Sequence, residues 1–166
     1  MSTILYKDIS LEKCQQQTRF CSSKEKEVIA LEGSELQFLN PAGLYDPSQY
    51  GYTHVAVVPS GAKMVYIAGQ GGEDKNANLV SKDFTGQLKH AFANLRTALS
   101  AVGVSPEHVV KTTVLIVDHN ETKLQQLIAE VQAMWGNKAP ACTLIPVPRL
   151  ALDGMLFEID AVAVVR

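Results

Sequence analysis

The sequence predicts a two-layer α+β domain, a mixed β-sheet with two helices packed on one of its faces. Two observations lead there. Short apolar runs at 55–58, 64–68, 109–117, 142–145 and 155–165 are interspersed with two longer stretches whose apolar residues recur every three or four positions, giving the order strand, strand, helix, strand, helix, strand, strand. Each amphipathic stretch has one stripe to bury, and a single sheet can cover both. The 166 residues suffice for one core, and 46% hydrophobic against 19% charged residues marks a folded globular chain rather than a disordered one.

The first helix is predicted over 81–102, with Phe84, Leu88, Phe92, Leu95, Leu99 and Val102 on one side; Ser81 or Asp83 caps its start and Gly103 ends it. The second runs over 121–135, buries Leu124, Leu127, Ile128, Val131 and either Met134 or Trp135, and stops at Gly136. The runs 55–58 and 64–68 read as a hairpin around the loop 59–63. The runs 142–145 and 155–165 read as two strands joined by a Pro-rich turn, with Gly154 as the break. Nearly every residue of the last strand is apolar, which predicts burial on both faces. The far sheet face, with Val55, Val57, Val114 and Val164 as candidates, stays uncovered in a single copy and so predicts self-association.

Residues 1–40 read as an N-terminal extension ahead of the domain at 41–166, with a helix beginning near Leu11 and a solvated turn at 22–27. It either packs on the outside of the core or forms a lid over a neighbouring subunit's cleft. Asn40-Pro41-Ala42-Gly43 and Asp46-Pro47-Ser48 are turn chemistry, and Tyr45, Tyr50 and Tyr52 cluster around them. Such a cluster lines an interface or ligand site, or packs at the core edge.

Several function classes are disfavoured. A net charge of −2 without a Lys/Arg run argues against a nucleic-acid footprint. No apolar stretch approaches the ~20 residues that span a bilayer, and the N-terminus has no apolar signal core. Cys14, Cys21 and Cys142 lack metal-type spacing and read as thiols of a reducing cytoplasm. His54 and His119 likewise lack metal partners at recognisable spacing and are assigned to solvent or capping. Gly69-Gln70-Gly71-Gly72 after a strand can cradle an anion, but no helix or Lys-Ser/Thr pair follows it, so it is not a nucleotide loop.

The chemical anomaly lies in the last strand. Glu158 and Asp160 sit two residues apart, hence on one face, inside an otherwise apolar run. Carboxylates there are costly unless paired, exposed at an interface or used. Around them the chain resembles a known family. Pro140-Ala141-x-Thr143, then Pro148-Arg149-Leu150, then Phe157-Glu158-Ile159-Asp160-Ala161-Val162-Ala163-Val164 is similar to the C-terminal signature of the Rid (YjgF) reactive-intermediate deaminases. Ile67-Ala68-Gly69-Gln70 and Val110-Lys111-Thr112-Thr113-Val114 resemble two further family blocks in the same order, so the resemblance extends from about Tyr52 to Val165.

The resemblance implies a chorismate-mutase-like fold, a homotrimer with a small-molecule cleft at each subunit interface, and cofactor-free, metal-free hydrolysis of enamines and imines such as 2-aminoacrylate. Carried over residue by residue, Glu158 matches the glutamate that holds the hydrolytic water. Gly69 matches the glycine beside the substrate, and Tyr52 an aromatic that closes the cleft. Gln70 and Thr143 complete the implied substrate-binding set, and Ala68 stands where relatives usually have serine. Cys142 occupies the position of the arginine that anchors the substrate carboxylate.

That last departure matters most. A guanidinium fork matches a carboxylate and a thiol does not. Losing the contact leaves a buried anion unpaired at a cost of about 2–5 kcal/mol, so little or no activity is expected on amino-acid-derived imines. A nucleophilic Cys142 requires a pKa depressed by His54, His119 or Arg149; the alternative is a small packing residue. Arg149 sits in an Arg-Leu context that arginine-bearing relatives share, which suggests a structural or interface role. Glu158 either faces ligand or is paired structurally, with Lys111 as candidate partner.

Three functions remain. One is a deaminase acting on a C–N substrate without the usual carboxylate. Another is a non-catalytic ligand-binding or regulatory trimer. The third, an endoribonuclease or translation inhibitor, rests only on activities attributed to relatives, and the net charge counts against it.

Overall fold

The computed structural model describes residues 35–165, so the helix near Leu11 and the turn at 22–27 lie outside the described residues. The elements are β1 (Gln37–Leu39), β2 (Val55–Val57), β3 (Lys63–Gly71), α1 (Phe84–Ala101), β4 (Val109–Val117), α2 (Glu121–Trp135), β5 (Ala141–Val147) and β6 (Phe157–Val165). Short 3-10 turns precede β2 and β4. The main sheet has the order β3-β6-β4-β5, with β6 antiparallel to both neighbours and β4 parallel to β5. Parallel neighbours need a crossover, and α2 supplies it between β4 and β5. α1 connects β3 to β4, and the last strand, β6, inserts between these two.

One expected pairing is corrected. β2 does not form a hairpin with β3; it pairs antiparallel with β1, Gln37 opposite Val57 and Leu39 opposite Val55. Three residues are too few for β1 to announce itself by periodicity. β5 and β6 are not adjacent either, because β4 lies between them. Pro146 fits this arrangement, since β5 is an edge strand and a missing N–H there breaks no interior ladder.

Asp83 caps α1 by accepting a hydrogen bond from the Gly86 N–H at 2.8 Å, and Asn120 caps α2 through the Lys123 N–H at 3.0 Å. Gly103 and Gly136 follow the two helices at φ +69° and +56°. Both helices pack on one sheet face. Phe84, Leu88, Phe92, Leu95 and Leu99 of α1 and Leu127, Val131 and Trp135 of α2 form one cluster with Val114, Ile116, Phe157, Ile159, Ala161 and Ala163.

Val102 is exposed, one residue past the end of α1. Val114 is buried on the helix side rather than on the open face, in phase with Thr112 and Ile116, which point toward the helices; Val164, opposite Met64 and in phase with Glu158 and Asp160, is on the face away from the helices but is buried there. The last strand is not buried evenly on both faces: buried and half-buried residues alternate along most of it. The apolar residues that the main sheet leaves exposed include Met64, Tyr66 (77% exposed) and Ile145.

One buried polar residue ties the layers together. Gln87 is fully buried; its Nε2 donates to Ser81 O (3.0 Å) and Gly154 O (2.8 Å), and its Oε1 accepts from Leu156 N (2.7 Å). All its polar atoms are thereby used. Among the described residues no helix is long and apolar enough to cross a membrane.

Candidate functional site

The structure divides the expected site residues into two groups. Glu158, Gly69 and Gln70 lie at the β3–β6 edge. Register places Glu158 opposite Gly71 on β3 and Leu115 on β4, and Asp160 opposite Thr113, so both carboxylates share the face turned away from the helices. Between Ile67 and Gln70 the β3 register slips by one residue, a bulge of the kind that re-aims side chains beside functional sites. Gly69 lies in that bulge. A Cβ there would overlap the Glu158 carboxylate, 2.6 Å from its Cδ, so only glycine lets this carboxylate lie against β3.

Partial burial, with Glu73 and Asp160 nearby, raises the Glu158 pKa above the ordinary carboxylate value. A carboxylate so placed has the chemistry to accept a proton from water and return it. Lys111 is not its partner: Lys111 Nζ donates instead to Thr112 O (2.9 Å) and Thr143 Oγ1 (2.6 Å). Asp160 Oδ1 accepts the Thr113 N–H at 2.9 Å. Gln70 folds back on its own strand, its Nε2 donating to Ala68 O at 3.1 Å and Gly69 O at 3.3 Å.

Glu73 belongs to this group and is not evident in the sequence pattern. Its Oε2 occupies the space a Cβ on Gly71 would need, and Asn94 Nδ2 fixes the turn by donating to Gly71 O (3.1 Å) and Glu73 O (2.9 Å). The usable signal was a Gly-Gly-Glu turn directly after the cleft-bordering strand.

Cys142, Thr143 and Tyr52 form the second group, at the β5 edge. Cys142 pairs in register with Thr112 and so points to the helix face, where it packs against the core. It lies three residues along and two strands across from Glu158, roughly 10 Å in each direction by ordinary strand spacing, and on the opposite face. Burial raises the Cys142 pKa, with Asp160 adding to the shift and Thr112 and Lys111 opposing it. The thiol is therefore neutral at physiological pH, which argues against a nucleophile. Arg149 is engaged elsewhere: among the described residues its ion pair is with Asp153, on the exposed surface.

Tyr52 is held by loop geometry. Thr53 donates its N–H to Pro140 O (3.1 Å) and its Oγ1 hydrogen to Ala139 O (2.6 Å), docking the loop at the start of β5. Gly51, at φ +74°, sits where a Cβ would be 3.1 Å from Val131 Cγ1, so the turn lies flat on α2. The three tyrosines form one cluster: Tyr45 meets Tyr50, Tyr52 and His54 edge-to-face, and its hydroxyl bonds that of Tyr52. His54 Nε2 pairs with Tyr45 O at 2.9 Å. His119 Nε2 is buried without a hydrogen-bond partner among the described residues. Among the described residues no His, Cys, Asp and Glu side chains gather as a metal-ligand set.

A half-buried carboxylate over a glycine bulge, on a four-stranded sheet backed by two helices, defines a Rid-like α+β domain. A family model described as Endoribonuclease L-PSP matches residues 46–165, and the chain belongs to this Rid (YjgF) family. It is 31% identical over 104 residues to 2-iminobutanoate/2-iminopropanoate deaminase of Salmonella typhimurium, covering 62% of this chain and 80% of the relative. The human protein of the same name is 34% identical over 103 residues, covering 61% and 73%. A crystal structure of a Yersinia pestis Rid-family protein, described as of unknown function, superposes with a TM-score of 0.74 at 30% identity, covering 78% of this chain and 98% of that one.

Proposed function

We propose that this protein is a Rid-type homotrimer whose intersubunit clefts bind a small molecule and hydrolyse an imine, an enamine or a related C–N bond in a substrate without the usual carboxylate. One observation carries the reading. Glu158 and Cys142 lie on opposite faces of one sheet, so a cleft that uses both draws them from two copies. The exposed Met64, Tyr66 and Ile145 support such an assembly, and the deaminases among the relatives support C=N hydrolysis.

In this reaction Glu158 takes a proton from water as the water oxygen bonds the imine carbon, and passes it to nitrogen. The hydroxyl proton of the resulting carbinolamine follows through the same carboxylate. The C–N bond then breaks, releasing ammonia or amine and leaving the carbonyl product.

The test is ammonia release from imines generated by an amino-acid oxidase, with wild type and Cys142→Arg first confirmed as trimers by sedimentation. Wild type is expected to be silent and the arginine variant active. Wild type should instead hydrolyse the neutral imine N-benzylidenemethylamine, and Glu158→Gln should lose about 10²–10⁴-fold of that rate. Full activity in Glu158→Gln, or wild-type turnover of 2-aminoacrylate at rates typical of arginine-bearing relatives, overturns the proposal. The missing anchor also favours a second reading, a binding trimer without catalysis; ligand binding with no turnover of either imine would establish it.

A further inference from the structure

The helix side of the β5 edge holds a cavity of about 350 Å³ between β5 and α2, roofed by Tyr50 and Tyr52. Its walls are Leu124 and Leu127 from α2 and Cys142 and Leu144 from β5; Gly51, Val131 and Thr143 complete it, and among the described residues no charged side chain lines it. We propose that this cavity is a specificity pocket for an uncharged aromatic or branched aliphatic group, with Cys142 as the residue that determines the preference. The chemistry at the bound group rests on the cleft reading above; the binding preference does not.

Three physical points support the assignment. The size fits: a dry cavity of roughly 150 Å³ already holds a benzene ring, so this one takes a ring with a small substituent. The walls also fit, because burial keeps the Cys142 thiol neutral, the leucines and Val131 supply apolar surface, and Tyr50 and Tyr52 add aromatic surface. Finally, among the described residues no cation lines the cavity to offset a carboxylate there. Lys111 is on the other sheet face, its Nζ donating to Thr112 O and Thr143 Oγ1. An anion entering the cavity would be desolvated without a partner.

Benzamide and benzoate have nearly the same shape and differ in charge, so they isolate the effect. Titration of the full-length Glu158→Gln protein, followed by the NMR methyl signals of Leu124, Leu127 and Leu144, keeps the measurement independent of turnover. The expected result is perturbation of these methyls, with benzamide binding about tenfold or more tighter than benzoate. Cys142→Arg should reverse the order, and Lys111→Met should leave it unchanged. The proposal is overturned if benzoate binds as tightly as benzamide, if neither ligand moves those methyls, or if Lys111→Met rather than Cys142→Arg changes the ratio. A protein that prefers benzamide yet hydrolyses no imine would leave the pocket standing and remove the catalytic reading alone.

Discussion

At the β3–β6 edge the chain sets a half-buried carboxylate against a glycine bulge, with Glu73 and Asp160 alongside. At the β5 edge it sets a neutral thiol among leucines and tyrosines, with no charge in the wall among the described residues. The first region gathers carboxylates, and the second offers mainly shape and apolar and aromatic surface. In the proposed function, the first is the chemical end and the second the recognition end. The two can vary separately because they stand on different strands and opposite faces, sharing only β4 between them.

Substitutions confined to one region should leave the other intact. The largest effect is expected from Gly69→Ala, whose Cβ displaces the Glu158 carboxylate. Since a misplacement of about 1 Å can cost about 10²-fold, kcat for neutral imines should fall by that order while benzamide affinity is unchanged. A matching fall in affinity would mean that the two regions are coupled.

Gln87→Leu comes next. It strands the Leu156 N–H and the Gly154 carbonyl at the entry to β6, beneath Gly72. The cost should be about 2–4 kcal/mol of unfolding free energy by chemical denaturation. The damage should appear in kcat, with the benzamide-to-benzoate ratio unaltered.

Glu158→Gln should produce a smaller, pH-dependent gain in stability. The folded-state pKa of Glu158 is raised, so its contribution is fully favourable below the unfolded value near 4.5 and is lost as pH rises through the folded value. The variant should therefore melt higher than wild type at pH 7, and the difference should vanish at pH 4 and below. An equal gain at both pH values would show that ionisation is not the cause. The smallest effect concerns Cys142. In a Cys14→Ser, Cys21→Ser background, iodoacetamide should modify it more slowly at pH 8 than it modifies free cysteine, because burial raises its pKa. Faster modification would identify an activated thiol and revive the nucleophile.

The sequence by itself determined what local periodicity and chemistry encode. The stripe from Phe84 to Leu99, the Asp83 cap and the glycine stops fixed both helices. The alternation of Glu158 and Asp160 with apolar neighbours placed the two carboxylates on one face. The family blocks marked Gly69 and Glu158, which the structure brings into contact. Tertiary structure decided everything that depends on which strand lies beside which. β1 as partner of β2, β6 inserted between β3 and β4, Val114 turned inward, Glu73 drawn beside Glu158, and Cys142 set on the opposite face all follow from non-local register. The physical reason is the two-residue period of a strand. It tells which side chains share a face, but the direction of that face is set only when hydrogen bonds fix the neighbouring strand and the helices choose a side to cover.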